Sequence, residues 1–149
     1  MREKIIMKEN VKKEIEEIIK KLELNCSVEE FKLKSFWKNI PIDYKVSEDF
    51  IREIQEQFKE HNWYIISRYQ KLSENFIREF QDKLNWSWIS LSQKLSKDFI
   101  LEFKDKVNWY NIEQYQKITK KDIEEYELKK IIEENNKTRV KNKFQLIRF

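Results

Sequence analysis

The chain contains a tandem repeat with a period of 23 residues. Residues 72–94 read LSENFIREFQDKLNWSWISLSQK, and residues 95–117 read LSKDFILEFKDKVNWYNIEQYQK. Residues 46–71 carry the same pattern with three additional residues ahead of Trp63. A repeat of this length cannot bury its own apolar face, so neighbouring repeats must pack on one another. The sequence therefore predicts an array in which each repeat covers the next.

The first half of each repeat is predicted to be a helix. Phe76, Ile77, Phe80 and Leu84 are spaced so that, at about 100° per residue, they form one apolar stripe. A hydroxyl residue precedes each such helix, where its side chain can accept a hydrogen bond from a free backbone N–H group. An apolar residue stands just before this cap and can contact the fourth helical position. The predicted caps are Ser47, Ser73, Ser96 and Thr119.

The second half of each repeat is predicted to be a shorter helix of about nine residues. Its predicted caps are Asn62, Asn85 and Asn108. A helix this short is marginal in isolation, so it must pack on its neighbours. We therefore expect its tryptophan, for example Trp86, to be buried between repeats.

The composition supports a helical fold. The chain has no glycine and no alanine, and Pro41 is its single proline. Almost nothing in it supplies the positive backbone angles that tight β-hairpin turns need. The predicted fold class is all-α, with tandem short helical hairpins stacked as a small solenoid or superhelical bundle. The predicted segments are an N-terminal capping helix in 1–25, repeats in 26–45, 46–71, 72–94 and 95–117, a decayed repeat and C-terminal helix in 118–136, and a basic tail in 137–149.

Several classes of site are disfavoured. Phosphate-binding loops and nucleophile elbows depend on glycine, which the chain lacks. Cys26 and His61 are the single cysteine and histidine, so a disulfide within the chain and a cysteine-based zinc site are excluded. Recurring carboxylates, such as Glu79 and Glu102, are predicted to lie on solvated helix faces with local ion pairs. We therefore predict a protein that is not an enzyme and that needs no cofactor or metal.

Aromatic and basic side chains alternate along the second helices. Such side chains can stack on RNA bases, but aromatics at a surface are also common anchors of protein interfaces. Residues 46–117 contain 11 basic and 12 acidic side chains, a balance that attracts a polyanion poorly. A protein partner is therefore favoured over a nucleic acid. The candidate partner-binding residues are Tyr64, Arg68, Tyr69, Trp88, Tyr110 and Tyr115.

The C-terminal tail carries the clearest charge signal. Its basic residues are Lys137, Arg139, Lys141, Lys143 and Arg148, and it contains no acidic residue. These cations are candidates for contact with an anionic partner. The tail is also compatible with a disordered, solubilising terminus or with a strand added to a partner's sheet edge.

The repeat pattern F-I-x-E-F-x-D-K-x-N-W-x-x-I-x-x-x-Q-K spans Phe76 to Lys94 and Phe99 to Lys117. It resembles tandem repeats in uncharacterised proteins of giant DNA viruses and other AT-rich genomes. The resemblance covers about half of the chain and implies an array of repeats, but no activity and no functional residues.

The leading functional hypothesis is a non-enzymatic binding or inhibitor protein encoded by a virus or phage. It would act by blocking a host macromolecule, such as a defence nuclease. The alternative is a helical repeat protein that binds RNA or DNA through the basic tail and the surface aromatics. We expect a cytoplasmic location without a membrane partner, because no segment approaches the roughly 18 apolar residues of a membrane span and the start is unlike a secretory signal.

Overall fold

A computed structural model describes residues 7–33, 42 and 44–146, with side chains up to residue 143. Across these residues the regular secondary structure is helical and contains no strand, which confirms the all-α prediction for them. No helix in this part of the chain is long and apolar enough to span a membrane. The helices are α1 Glu9–Lys21, α2 Val28–Leu33, α3 Glu48–Ile54, α4 Glu60–Tyr69, α5 Glu74–Glu79, α6 Trp86–Ser92, α7 Lys97–Glu102, α8 Trp109–Asn111 and α9 Lys120–Leu146.

The chain divides into two compact units, Met1–Trp88 and Ile89–Phe149. In the first unit, the Phe31 ring of α2 lies 6.2 Å from the Phe50 ring of α3. Its core residues include Val11, Ile15, Ile18, Ile51, Ile54, Trp63, Phe76, Ile77, Phe80 and Leu84. Part of the predicted repeat 26–45, including Trp37, lies outside the described residues.

The second compact unit has its own core, which includes Ile89, Leu95, Phe99, Ile100, Phe103, Val107, Ile112 and Ile123. The Phe99 and Phe103 rings lie 4.7 Å apart, and the corresponding Phe76 and Phe80 rings of the first unit lie 4.6 Å apart. The same apolar positions of the repeat are therefore buried in both units.

The predicted caps of the first helices are confirmed. The hydroxyls of Ser47, Ser73 and Ser96 each accept a hydrogen bond from the backbone N–H three residues later, at 3.0, 3.2 and 3.1 Å. Thr119 caps α9 in the same way, accepting from the Asp122 N–H at 3.1 Å. The start of each of these helices is thus set by a local side-chain hydrogen bond.

One of the three asparagine caps was predicted wrongly. Asn85 and Asn108 do cap α6 and α8. Asn62 instead lies inside α4, where its side-chain oxygen accepts from the Lys59 N–H at 2.8 Å. The three inserted residues let α4 begin earlier, at Glu60, so Asn62 occupies its third position and not its cap.

The first helices are shorter than their apolar stripe. Helix α5 ends at Glu79, and Phe80 begins a turn in which its carbonyl oxygen accepts from the N–H groups of Lys83 and Leu84. Phe80 and Leu84 are nevertheless buried. The short helix and the turn after it therefore bury the same side chains that one longer helix would bury.

Two carboxylates bind the caps of first helices in the first compact unit. Glu14 of α1 accepts hydrogen bonds from both the backbone N–H, at 2.7 Å, and the hydroxyl of Ser47. Glu48 of α3 accepts from the same two groups of Ser73, with its hydroxyl at 3.0 Å. Each carboxylate therefore holds the N-terminus of a first helix, α3 or α5, where the helix dipole favours negative charge.

Two buried serines make a second kind of link. The hydroxyls of Ser67 and Ser90 are fully buried and accept the backbone N–H of Asn85 and Asn108, at 2.9 and 2.8 Å. Each bond joins the second helix of one repeat to the start of the second helix in the next. Glu113, which is exposed, occupies the corresponding position in residues 95–117.

Trp86 is not buried as the sequence led us to expect. It is half-buried, and its indole N–H donates to the Gln81 carbonyl oxygen at 2.9 Å within its own repeat. Trp109 is also half-buried and bonds in the same way to Lys104. Trp63 is the buried one, at 5% exposure.

The C-terminal helix is longer than predicted. The sequence suggested a C-terminal helix within 118–136 followed by a separate basic tail in 137–149. Instead, α9 continues without a break to Leu146, so the described part of the tail is helical and is not an extended strand.

Candidate functional site

Four of the predicted partner-binding residues lie together on the surface of the first compact unit. Tyr64, Arg68 and Tyr69 are on α4, and Trp88 is on α6. The Arg68 guanidinium carbon lies 4.2 Å from the Trp88 ring centre and 4.8 Å from that of Tyr69. Tyr64 meets the Trp88 ring edge-on, with ring centres 5.7 Å apart. We call these four residues the aromatic-arginine cluster.

Helix caps and the link between repeats position this cluster. The side-chain oxygen of Asn85 accepts the Trp88 N–H at 3.1 Å, which fixes the first turn of α6. The hydroxyl of Ser67, one residue before Arg68, holds the Asn85 backbone at 2.9 Å. The link that joins the two repeats therefore also brings Trp88 to Arg68.

The cluster is accessible and chemically suited to recognition. Arg68 is exposed, Tyr64 is 37% exposed, and Tyr69 and Trp88 are half-buried. Stacking occupies the faces of a guanidinium, whereas its N–H groups donate in its plane. Arg68 can therefore keep its ring contacts while it donates to an acceptor on a partner. The neighbouring aromatic rings supply the apolar contact area.

The other two predicted residues lie in the second compact unit. Tyr110 is 71% exposed at α8, and Tyr115 is 61% exposed in the π-helical segment Ile112–Gln116. In the repeat register, Tyr110 corresponds to Tyr64 and Tyr115 to Tyr69, while Gln114 stands where Arg68 does. The tyrosines thus recur without the arginine.

The predicted basic tail is an exposed part of α9. Its cations Lys137, Arg139, Lys141 and Lys143 are all exposed. Arg148 lies outside the described residues. Between Glu134 and Leu146 the helix carries no acidic side chain, so this stretch has a net positive charge.

An ion-pair network that sequence reasoning missed attaches the first half of α9 to the helix α7 and the turn that follows it. Lys130 binds Asp98, and Lys104 lies 3.4 Å from Glu127. The hydrogen bond from Lys130 holds the pKa of Asp98 below its ordinary value, with a further contribution from Tyr126. Partial desolvation raises the pKa of Tyr126, and its hydrogen bond to Asp98 adds to this. No periodic signal in the sequence marks these pairs, because their partners are 23 to 32 residues apart.

The carboxylate rows predicted to be solvated take part in ion pairs between helices. Glu79 accepts from Arg52 at 2.8 Å, and Glu53 pairs with Lys32. In the described part of the chain, histidine, cysteine and acidic side chains form no group able to hold a metal ion. These carboxylates therefore join helices to one another.

A cavity of about 480 Å³ lies inside the repeat that carries the three-residue insertion. Its lining is mainly apolar and includes Phe50, Ile54, Phe58 and Ile66, and the exposed His61 stands on its wall. Ile42 and Tyr44, which also line it, adjoin residues outside the described part of the chain. Nothing in its lining specifies a ligand.

Comparison with known proteins gives no relative for this chain. None of the protein-family models matches it, and neither the curated proteins nor the solved structures contain a match.

Proposed function

We propose that this chain is a non-enzymatic binding module that recognises a protein through the aromatic-arginine cluster of Tyr64, Arg68, Tyr69 and Trp88. In this proposal the tandem helical hairpins stack as a small solenoid that holds the cluster rigidly. The module acts by occupying a surface of its target, as a viral or phage inhibitor of a host protein does.

The observation that carries the proposal is the stacking of Arg68 on Trp88 at 4.2 Å. Tryptophan, tyrosine and arginine are the residue types that most often dominate binding energy at protein interfaces. Three of the four cluster residues share one helix, and ring contacts restrict their side chains before any partner arrives. Such preorganisation reduces the conformational entropy lost on binding.

A pull-down experiment tests the proposal. The full chain is immobilised and exposed to a lysate of its own cellular environment, with and without nuclease treatment. We expect nuclease-resistant protein capture that is lost in the Arg68→Ala/Trp88→Ala variant. The matched control is Lys71→Ala/Leu33→Ala, which removes an exposed cation and an exposed apolar side chain of the same compact unit and should capture normally. Undiminished capture by the cluster variant would contradict the proposal.

Nucleic-acid binding is the second candidate, and the cations of α9 favour it. Four cations lie exposed on this one helix, namely Lys137, Arg139, Lys141 and Lys143. No acidic residue follows Glu134 in the sequence of the helix. Cations that neutralise phosphates release counterions, so affinity should fall steeply with salt. Salt-sensitive binding of generic RNA or DNA that disappears when these four residues become glutamine would support this candidate over the first.

A further inference from the structure

We propose that α9 mediates self-association, with its outward face packed against the same face of a second copy in antiparallel orientation. The outward face is defined by Leu128, Ile131 and Ile132.

One side of α9 is already occupied. Ile123 is 2% exposed, Lys130 binds Asp98 of α7, and the Tyr126 ring lies 5.9 Å from the Lys97 ammonium group. At about 100° per residue, Ile123, Tyr126 and Lys130 fall on one face of the helix. This face fixes the first half of α9 within the second compact unit.

Leu128, Ile131 and Ile132 project from the opposite side. They are 58%, 50% and 50% exposed, although each is a large aliphatic side chain. Their spacing of three and four residues gathers them within about 100° of arc, which is the width of a helix-packing stripe. The helix therefore has two apolar faces, and the part of the chain that the structure describes covers one of them.

The second half of α9 also needs a covering partner. In the described part of the chain, every residue from 131 to 143 is exposed. A solvated helical stretch of this length is marginal, and Asn135, Asn136 and Asn142 are poor helix formers. Packing against another helix would supply the tertiary contacts from which short helices gain most of their stability.

The charges of α9 complement those of its own antiparallel copy. Residues 120–134 hold six acidic and four basic side chains, whereas residues 137–146 hold four basic and no acidic ones. Glu125 and Arg139 lie seven residues before and after Ile132. A two-fold axis at Ile132 brings Glu125 of each copy opposite Arg139 of the other. Parallel pairing would place the two basic halves side by side and repel.

A polyanion would match only part of this face. The cations would suit a nucleic acid, but Leu128, Ile131 and Ile132 would gain nothing from contact with phosphates. A second copy satisfies both the aliphatic residues and the charges, so it is the occupant that the face fits.

Sedimentation equilibrium of the full chain tests the proposal. We expect a monomer–dimer equilibrium within the range of about 1 to 500 µM, as suits an interface with few apolar side chains. Ile132→Glu should shift the chain to monomer. Val140→Glu changes another half-exposed aliphatic residue, which lies about 130° around the helix from the centre of the outward face, and it should leave the equilibrium unchanged. Circular dichroism confirms that both variants keep their helix content.

A charge exchange separates pairing from folding. Arg139→Glu should weaken dimerisation about tenfold, because it converts two attractive pairs into repulsive ones. Glu125→Arg/Arg139→Glu should restore the wild-type affinity. Glu125→Arg/Lys141→Glu leaves the net charge unchanged in the same way, but residue 141 lies on the other side of the helix, so this variant should not recover affinity.

Three results would overturn the proposal. The first is a wild-type chain that stays monomeric over the whole concentration range, and the second is an equal affinity for the two double variants. The third is a chain that remains monomeric while it binds duplex DNA or RNA through α9. None of these results bears on the aromatic-arginine cluster, so each leaves the pull-down outcome independent.

Discussion

Gln116 joins the end of its repeat to the beginning, because its side-chain oxygen accepts a hydrogen bond from the backbone N–H of Leu95, 3.0 Å away. Its side-chain N–H group also donates to the Ser90 carbonyl oxygen at 2.9 Å. Gln70 repeats this arrangement 46 residues earlier, with the Val46 N–H and the Tyr44 carbonyl oxygen. The glutamine of the repeat pattern thus pairs with two backbone groups, one N–H and one carbonyl oxygen.

Gln116→Ala should lower the free energy of unfolding by about 1 to 2 kcal/mol, because it leaves the N–H of the buried Leu95 without its acceptor. Chemical denaturation of the two proteins measures the difference. Gln114→Ala is the matched control, since Gln114 is exposed two residues earlier, and it should change stability by less than about 0.5 kcal/mol. Equal effects of the two changes would show that the closing hydrogen bonds contribute little.

Trp63→Ala should be far more destabilising than Trp86→Ala. Trp63 is 5% exposed and lies 5.1 Å from Phe80 and 5.5 Å from Phe58, ring centre to ring centre. Deleting a buried aromatic side chain of this kind costs about 3 to 5 kcal/mol. The half-buried Trp86 should contribute about 1 to 2 kcal/mol. Denaturant titration of the two variants measures the loss of unfolding free energy. A larger loss for Trp86→Ala than for Trp63→Ala would support the prediction that Trp86 belongs to the core.

Asp122 should make stability depend on pH in acid. Hydrogen bonds from the Thr119 hydroxyl and the Thr119 backbone N–H, both at 2.7 Å, lower the pKa of Asp122 from its ordinary value of 3.8. A lowered pKa in the folded state gives stability that is present above 3.8 and is lost as the pH falls through the folded-state pKa.

The stability difference between the wild type and Asp122→Ala should therefore shrink as the pH falls below 3.8. Thermal unfolding measured across the acid range checks this. Glu124→Ala removes a neighbouring exposed carboxylate and serves as the control. A difference that stays constant with pH would mean that the cap of α9 does not depend on the charge of Asp122.

The sequence predicted helix starts more accurately than helix ends. Ser47, Ser73 and Thr119 begin their helices through hydrogen bonds over three residues, and such local chemistry is visible in the sequence. The end of α5 at Glu79 depends on how Phe80 and Leu84 reach the core, which is a tertiary effect. Apolar periodicity alone does not separate a helix from a helix followed by a turn.

The candidate site was predictable in its members but not in its geometry. Residue type and repeat position indicated Tyr64, Arg68 and Trp88. Their grouping depends on the hydrogen bond between Ser67 and Asn85, which connects two repeats and has no signature in either one. The two-sided character of α9 was hidden for a similar reason, because the aliphatic residues on its two faces together show no single helical stripe.

Residues 95–117, the last full repeat, lack two side chains that link one repeat to the next. Glu48 and Ser67 of residues 46–71 each bind a backbone N–H group of the following repeat. In residues 95–117 these two positions are occupied by Lys97 and Glu113. Residues 72–94 keep a glutamate and a serine there, so a tandem duplication of that segment yields a copy able to receive a successor. A duplication of 95–117 would yield a copy that lacks both side chains. We therefore expect a lengthened gene product to remain stable when it gains a copy of residues 72–94, and to be less stable when it gains a copy of residues 95–117.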